Sequence, residues 1–327
     1  VQAVSRGLEA FAQDFPGAAR VQQYAADGLS VVLDAAGVLQ AARLPGVLWV
    51  EPIVLNELYN DVAGGIMNAP TAWDLDLDGS GVTIGAADTG LDVTHGDFDG
   101  RVVQTKSYPV VAASYGSCSV LNANADDGVA DLVSGHGTHV TGSIAGSGFR
   151  SAGAFKGMAY DASITFQAVE QYTTFSPQVC EANNGYYLSG IPADVGVLLD
   201  DAHAMGARVH NNSWGSPAAG TYTVDAANFD ERIHQYQDLL VTVAAGNYGA
   251  DGNLDGFADL KSIATLGAAK NVLTVGASDS LQIGTMGYAE YMWGILLTNS
   301  FKKSPSSTDY TSDSPQELAA FRSRGPA

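Results

Sequence analysis

Residues 134–142 read Ser-Gly-His-Gly-Thr-His-Val-Thr-Gly, and the run Gly142-Ser-Ile-Ala-Gly146 follows without a break. So many small residues predict a helix that packs closely against a sheet, with His136 in its first turn. The positive end of the helix dipole disfavours a protonated imidazole, so we expect His136 to stay neutral and able to accept a proton. A general base requires such a histidine. The alternatives are that His136 and His139 are metal ligands or structural residues.

Length, composition and charge limit the possible functions. The chain has 327 residues, enough for one large domain or two smaller ones, and 46% of them are hydrophobic. No run of about twenty apolar residues occurs, so we expect no membrane partner. The formal net charge of −20 argues against nucleic-acid binding, because phosphate would be repelled. Because the chain begins at Val1 without a visible signal peptide, we expect it to be an excerpt of a longer protein.

Residues 1–58 have the pattern of a small α+β module. Its predicted elements are a helix over Ser5–Gln13, a strand over Leu29–Leu33, a helix over Ala36–Arg43 and a strand over Val47–Val50. The following stretch, from about Leu55 to Gly65, has no strong secondary-structure signal.

From Gly79 onward the pattern changes to alternating strands and helices. Strands are predicted over Val82–Ala87, Ile164–Val169, Arg208–Asn212, Leu239–Ala245 and Val272–Gly276, and helices over Asp194–Met205 and Ala226–Gln237. This alternation predicts an α/β fold, a parallel sheet flanked by helices. Functional groups gather at the carboxyl ends of such strands, where Asp88, Ser213 and Asn247 lie.

Three polar side chains can then form a catalytic group. A carboxylate at Asp88 would accept a hydrogen bond from one ring nitrogen of His136, fix its tautomer and stabilise the imidazolium. The side-chain amide of Asn247 would point at a developing oxyanion. Taken singly, Asp88 and Asn247 are also ordinary turn residues.

Five short motifs occur in the order and context of subtilisin-like serine proteases (peptidase S8). They are Asp88-Thr-Gly90, His136-Gly-Thr-His-Val140, Asn212-Ser-Trp-Gly215, Ala244-Ala-Gly-Asn247 and Ser323-Arg-Gly-Pro326. The resemblance covers about residues 60–278 and 320–327. It is nearest to the KP-43-type, oxidatively stable alkaline proteases, and it implies a subtilisin-like fold that cleaves polypeptide substrates.

The resemblance also implies a role for each motif. Asp88 would be the orienting acid, His136 the general base and Asn247 the oxyanion donor, while His139 matches a second, non-catalytic histidine. Ser213, Trp214 and Gly215 would form the strand that pairs with the substrate backbone and lines the S1 pocket. The alternative for Trp214 is simple core packing. Thr141 stands where the family has alanine and adds a hydroxyl to a tight helix face.

The family's nucleophile lies in a Gly-Thr-Ser segment, and no Gly-Thr-Ser occurs in this sequence. We therefore expect the chain to be truncated before the catalytic serine and to be inactive by itself, since triad members act as a unit. The alternatives are a non-catalytic, subtilase-like binding or scaffold protein, and a metal site built on Asp88, His136 and His139.

Residues 1–58 resemble the end of a subtilase prodomain, above all at Leu44-Pro-Gly-Val-Leu-Trp-Val-Glu-Pro52. The implied division is a prodomain over 1–58, acting as folding chaperone and temporary inhibitor, and a catalytic domain over 59–327. Cleavage is expected between Asn56 and Val62, in a secreted zymogen. The alternative is a permanent structural domain.

One acidic loop is a candidate calcium site. Asp251, Asn253, Asp255 and Asp259 place oxygen ligands at alternating positions around a glycine, although Ser262 stands where an EF-hand has its closing glutamate. The alternative is a solvated acidic loop. The spacing of Cys118 and Cys180 leaves a disulfide and two free thiols equally open. Residues 279–319 are interpreted as a long insertion.

Overall fold

The computed structural model describes residues 19–24, 28–41, 43, 60–112, 118–176, 183–279 and 291–327. The chain forms two compact units, Val1–Glu57 and Leu58–Ala327. The helix predicted over Ser5–Gln13 and the strand predicted over Val47–Val50 lie outside the described residues. In the described part of the chain, no helix has the length and apolar character needed to cross a membrane.

The described residues of the first unit form an antiparallel pair of strands, β1 (Ala19–Tyr24) and β2 (Gly28–Val32), and a helix, α1 (Ala35–Ala41). The side chain of Asp34 begins α1 by accepting a 2.7 Å hydrogen bond from the backbone N–H of Gly37. The predictions of β2 and α1 are confirmed to within two residues at each boundary. β1 was not predicted, because Ala-Arg-Val-Gln-Gln-Tyr carries too few apolar residues to indicate a strand.

The second unit is an α/β structure. Its helices are α2 (Asn60–Ile66), α3 (Ala69–Trp73), α4 (His136–Ala145), α5 (Gly196–Ala204), α6 (Val224–Gln235) and α7 (Trp293–Leu296). Its strands are β3 (Thr83–Asp88), β4 (Val102–Ser107), β5 (Ser163–Ala168), β6 (Gln171–Thr173), β7 (Gly185–Tyr187), β8 (Val209–Asn212), β9 (Leu240–Ala244) and β10 (Leu273–Val275).

Six strands form one sheet in the order β10-β9-β8-β3-β5-β4, and every neighbouring pair is parallel. The strands β6 and β7 form a separate antiparallel pair. The predicted parallel sheet is confirmed. Since its strands are parallel, β3, β8 and β9 all end at the same edge, which brings Asp88 and the segments beginning at Ser213 and Ala245 to one side of the molecule.

Helices cover both faces of this sheet. Successive side chains of a strand point to opposite faces, and Ala86 and Ala87 are neighbours in β3. Ala86 packs in a cluster with Ala145 of α4, whereas Ala87 packs in a cluster with Leu198 of α5. Burial on both faces explains why β3 and β5 are almost continuous runs of small or apolar residues.

Three parts of the second unit differ from the sequence prediction. The stretch over Leu55–Gly65, which was predicted to lack secondary structure, contains most of α2. This short helix depends on tertiary contacts: a Cβ added at Gly64 would lie 3.5 Å from the side chain of Met158. The edge strand β4 and the β6–β7 pair were not predicted, because their mixed polar sequences follow neither helical nor strand periodicity.

The structure also decides the state of one cysteine. Cys118 is disulfide-bonded, and the chain's other cysteine, Cys180, lies outside the described residues. In the predicted insertion, Trp293 and Phe301 form a small apolar cluster with Ala319 and Ala320. Ala258 and Ala277 also pack against this cluster, so the insertion is anchored to residues outside it.

Candidate active site

A carboxylate and an imidazole meet where β3 ends and α4 begins. Asp88 is the last residue of β3, His136 is the first residue of α4, and the distance from Asp88 Oδ1 to His136 Nδ1 is 2.6 Å. Asp88 is 2% exposed, while the side chain of His136 is 49% exposed. The carboxylate is thus buried behind the ring, and about half of the imidazole side chain faces solvent.

Two glycines make this approach possible. A Cβ at Gly137 would lie 2.3 Å from the carbonyl oxygen of Gly90 and 3.1 Å from Cβ of Asp88. A Cβ at Gly90 would lie 2.6 Å from the carbonyl oxygen of Ala130. A side chain at Gly137 would push the start of α4 away from Gly90 and Asp88. A side chain at Gly90 would instead displace the backbone of Ala130 and Asp131.

The first turn of α4 is held by side chains that accept its free backbone N–H groups. The Asp131 carboxylate accepts from the N–H of Gly135 at 3.0 Å and from that of Thr138 at 3.1 Å, and the Thr89 hydroxyl accepts from the N–H of Gly137 at 2.9 Å. A carboxylate at a helix N-terminus also interacts favourably with the helix dipole. Sequence analysis missed Asp131, which orients the helix that carries His136.

The pKa of His136 is raised, contrary to the expectation from the helix dipole. The hydrogen bond to Asp88 is the largest cause, and burial opposes it. The charges of Asp88, Asp131 and Glu170 raise the pKa of His136 further. A raised pKa is compatible with a role as proton acceptor, because the His136 ring then binds a proton more tightly. The Asp88 carboxylate meanwhile holds the ring in its orientation.

Asp88 fixes which nitrogen of the ring is available. Its Oδ1 accepts from the Thr89 N–H at 2.7 Å as well as contacting Nδ1, so Nδ1 faces the protein and Nε2 remains for a reacting group. Among the described residues, no hydroxyl is hydrogen-bonded to Nε2. The second carboxylate oxygen of Asp88, Oδ2, is buried and has no hydrogen-bond partner among the described residues.

A cleft of about 430 Å³ lies beside the Asp88–His136 pair. It is lined by Asp88, Thr89, Ser134, His136, Glu170, Tyr186, Tyr187, Leu188, Ser213 and Trp214. Burial raises the pKa of Glu170, with a further contribution from the neighbouring carboxylates. Glu170 was not predicted, although it follows β5 by two residues and the strand-end rule used for Asp88 would have found it.

The predicted substrate segment is only partly in this cleft. Ser213 and Trp214 line it, and Gly215 does not. The indole N–H of Trp214 donates to the carbonyl oxygen of Ala87 at 3.0 Å, and its ring packs against two clusters of core residues. Trp214 therefore both lines the cleft and packs in the core, which was the alternative interpretation. The backbone groups of Ser213 and Trp214 make no backbone-to-backbone hydrogen bond within the described residues.

Asn247 lies in the turn after β9, is exposed, and is not among the residues that line the cleft. The buried Ser323 supports this turn. Its N–H donates to the carbonyl oxygen of Gly246 at 2.9 Å, and its hydroxyl accepts from the N–H of Tyr248 at 3.1 Å. The Ser323-Arg-Gly-Pro326 motif therefore lies directly against the Asn247 turn.

The candidate metal residues divide into two cases. In the 251–259 loop, Asp251 accepts backbone hydrogen bonds at both oxygens, and Asp259 accepts one from Gly252. Of the described residues, the one set of three acidic or histidine side chains whose ligand atoms lie within 4.8 Å of one another is Asp279, Asp313 and Glu317. The proposed ligands of the 251–259 loop and the alternative set Asp88, His136 and His139 do not converge in this way, so calcium at the loop stays a prediction.

Comparison with known proteins identifies the family. The Subtilase family profile matches residues 79–327, which is most of the chain. The chain belongs to the subtilase family. Its fold is therefore the subtilisin-like α/β fold, and the Asp88–His136 pair lies within the matched region.

Several subtilase relatives are similar over much of this chain. A serine protease/ABC transporter B family protein, tagD, of Dictyostelium discoideum is 34% identical over 214 residues, which cover 63% of this chain and 10% of that protein. Subtilisin-like protease 1 of Arthroderma gypseum is 28% identical over 257 residues, which cover 74% of this chain and 46% of that protein. The chain thus spans about a tenth of the Dictyostelium relative and less than half of the fungal one.

Solved structures of subtilisin-like proteins also match. A cold-adapted subtilisin-like serine proteinase is 25% identical with a TM-score of 0.37, covering 61% of this chain and 55% of that chain. The nisin leader peptidase of Lactococcus lactis is 16% identical with a TM-score of 0.46, covering 68% of this chain and 62% of that chain.

Proposed function

We propose that the chain is part of a subtilisin-type serine endopeptidase, in which Asp88 orients His136 and His136 is the general base. The observation that carries the proposal is the 2.6 Å contact between a buried carboxylate and the imidazole, beside an open cleft. In the reaction, Nε2 would take the proton of a serine hydroxyl as that oxygen attacks the scissile carbonyl. The same proton would then pass to the leaving amine.

Binding of the substrate backbone is assigned to Ser213, Trp214 and Gly215. The free backbone groups of Ser213 and Trp214 follow β8 directly, so an extended peptide would add to this edge by β-augmentation. Asn247 would donate its side-chain amide to the oxyanion. Losing one oxyanion donor costs about 10²–10³ in kcat, a range that was measured on subtilisin itself.

The finer assignments belong to the same proposal. The protein would be secreted as a zymogen, with residues 1–58 as its prodomain and inhibitor and polypeptides as its substrates, and it would be nearest to the KP-43-type alkaline proteases. The 327-residue chain would be inactive alone, because no Gly-Thr-Ser segment supplies the nucleophile. The second candidate function is a non-catalytic subtilase-like protein that uses the cleft of about 430 Å³ beside His136 for binding.

Labelling with a fluorophosphonate probe tests the inactivity. The purified 327-residue chain should show no stoichiometric labelling of a serine, because no hydroxyl is positioned at Nε2 among the described residues. If the probe labels one serine and His136→Ala abolishes that labelling, the proposed inactivity is contradicted and the nucleophile lies within the chain.

The coding sequence beyond Ala327 separates the two candidate functions. A downstream Gly-Thr-Ser segment supports the peptidase, and the extended protein should then be labelled in a manner that depends on His136. Its absence from the complete coding sequence would favour the binding protein.

A further inference from the structure

Asp279 is buried without a partner. It is 2% exposed, and neither carboxylate oxygen has a hydrogen-bond partner among the described residues. Among the described residues, Asp279 is the only carboxylate whose two oxygens are both buried and both without a hydrogen-bond partner. A buried carboxylate is normally neutralised, paired with a cation or hydrogen-bonded, so its surroundings should contain a compensating group.

The immediate surroundings contain more negative charge. Oxygen atoms of Asp279, Asp313 and Glu317 lie within 4.8 Å of one another. Asp309 is also close, and burial together with these three neighbouring carboxylates raises the pKa of Asp279 to about 7. Burial lowers the pKa of Arg324 more than the charge of Asp279 raises it. Among the described residues, no ion pair includes any of these four carboxylates, Arg322 or Arg324.

The backbone holds the three carboxylates in place. The N–H of Asp279 donates to the carbonyl oxygen of Glu317 at 3.0 Å, and Ser278 and Leu318 form an antiparallel bridge. The N–H of Glu317 donates to the carbonyl oxygen of Ser314 at 3.2 Å, which closes a turn between Asp313 and Glu317. Asp313 and Glu317 are exposed, so an ion can reach the cluster from solvent while Asp279 forms its floor.

We propose that Asp279, Asp313 and Glu317 bind a hard divalent cation, calcium in preference to magnesium. All three offer carboxylate oxygens, which are ligands of both ions. The open side of the cluster leaves room for the waters and the irregular geometry that calcium tolerates, whereas magnesium demands a near-ideal octahedron. The ion would neutralise the buried charge and fasten residues 313–317 to the segment that follows β10.

This site is distinct from the 251–259 loop. There the buried carboxylate, Asp251, already accepts hydrogen bonds from the N–H groups of Asp255 and Gly256. Asp279 accepts no such bonds from the described residues, which leaves its buried charge open to compensation by a cation. Trp293 provides a local reporter, because its indole N–H faces Asp279 closely enough to lower the pKa of that group, although outside hydrogen-bond geometry.

Terbium luminescence tests the proposal. Tb³⁺ replaces calcium at oxygen sites and emits when a nearby tryptophan is excited, so the 327-residue chain should show Trp-sensitised emission that calcium displaces better than magnesium. Asp279→Asn should weaken Tb³⁺ binding at least tenfold. Asp313→Asn should do the same at an exposed position that does not threaten folding. Trp293→Phe should lose the emission but keep the calcium-dependent rise in Tm.

Asp99→Asn is the matched control, because Asp99 is an exposed carboxylate that belongs to neither acidic cluster, and it should leave the emission and the calcium-dependent Tm unchanged. Asp255→Asn removes one carboxylate from the 251–259 loop, the other candidate calcium site, and the Trp293-dependent emission should survive it. Wild-type affinity in both Asp279→Asn and Asp313→Asn would overturn the proposal. So would the absence of any Tb³⁺ emission and of any calcium-dependent shift in Tm, or emission that is lost in Asp255→Asn alone.

Discussion

At the residue scale, the contact with Asp88 determines the direction in which the pKa of His136 is shifted. Its place in the first turn of a helix disfavours the imidazolium, but the 2.6 Å contact with Asp88 favours it and is the largest cause of the raised pKa. A hydrogen bond to a buried carboxylate at that distance outweighs the partial charge of a helix end. If the proposed peptidase function is right, the activity of the full-length protein should therefore develop as pH rises through a His136 pKa above 6.5, where the base becomes neutral.

Replacing Asp88 with asparagine should lower the pKa of His136, because the main stabiliser of the imidazolium is lost while burial still disfavours the charge. NMR titration of the ring resonances in the 327-residue chain measures it directly. Asp126→Asn is the control variant, because it also removes one negative charge. It removes no hydrogen bond to His136, since the Asp126 carboxylate accepts its hydrogen bonds from the Ser107 hydroxyl and the Gly128 N–H. An equal pKa in wild type and Asp88→Asn would contradict the assigned role of Asp88.

Thr141 is a residue whose hydroxyl serves no visible purpose. It is 2% exposed on α4, and its Oγ1 has no hydrogen-bond partner in the described residues. Thr141→Ala should raise the free energy of unfolding by about 1 kcal/mol, because an unpaired hydroxyl leaves the core and alanine is the better helix former.

Urea denaturation measures this effect, with Thr173→Ala as the contrasting variant. The Thr173 hydroxyl is bonded to Ser189 at 2.6 Å and to the carbonyl oxygen of Gln171 at 3.1 Å, so its removal should lower stability by about 1 kcal/mol. If Thr141→Ala also loses stability, the hydroxyl has a partner that matters.

At the element scale, a chain of buried polar side chains crosses the sheet. Asn212 contacts His210 at 3.0 Å, and His210 contacts Gln167 at 2.7 Å. Gln167 donates to the Tyr108 hydroxyl at 2.7 Å, which in turn donates to Asp201 at 2.6 Å. The chain links strands β8 and β5 to helix α5, and it explains how a strand as polar as Val-His-Asn-Asn lies in the middle of a parallel sheet.

Burial lowers the pKa of His210 to about 3, compared with 6.5 in an unfolded chain. Between these values the unfolded state binds a proton that the folded state does not, so this group lowers stability as pH falls from about 6.5 toward 3. The contribution is about 1.4 kcal/mol per pH unit. His210→Gln should therefore flatten the dependence of unfolding free energy on pH by about one proton in this range.

Denaturation curves across the same range measure that slope. Asn212→Ala is the control, because it removes a partner but keeps the titrating ring, and burial is the cause of the shift. It should lower stability and leave the slope intact. Identical slopes in wild type and His210→Gln would show that the ring titrates normally in the folded state.

At the scale of the whole molecule, the chain consists of two compact units, Val1–Glu57 and Leu58–Ala327. If residues 1–58 are a prodomain, cleavage should occur just before the second unit. Because Asn60–Ile66 is helical, and a protease needs an extended bond, the expected site is narrowed to the residues between Asn56 and Asn60.

Mass spectrometry of the protein expressed from its complete coding sequence identifies the mature N-terminus. The expected result is a start between residues 57 and 60. A start before Val1 would show that the first unit is retained and would favour the permanent structural domain. Substituting Asn56 to Tyr59 with proline-rich sequence should block processing if the bond lies there.

The sequence by itself determined five of the six strands of the parallel sheet and the helices α4, α5 and α6. Thr83–Asp88 is an almost continuous buried run, whereas Leu240–Ala244 is an apolar run in which buried and more exposed positions alternate. Both patterns are typical of strands and can be recognised from the sequence. The rule that functional groups follow such strands placed Asp88 and Ser213 at one edge. The motifs supplied the pairing of Asp88 with His136.

Only the tertiary structure decided the rest. The direction of the His136 pKa shift depends on a distance between residues 48 positions apart, and the helix at Asn60–Ile66 lies next to Met158, from a distant part of the sequence. The sequence alone does not distinguish Asp279 from the other acidic residues, because only the fold buries it beside Asp313 and Glu317. Local periodicity reports which face of an element is apolar, whereas charge proximity and desolvation arise only when distant segments meet.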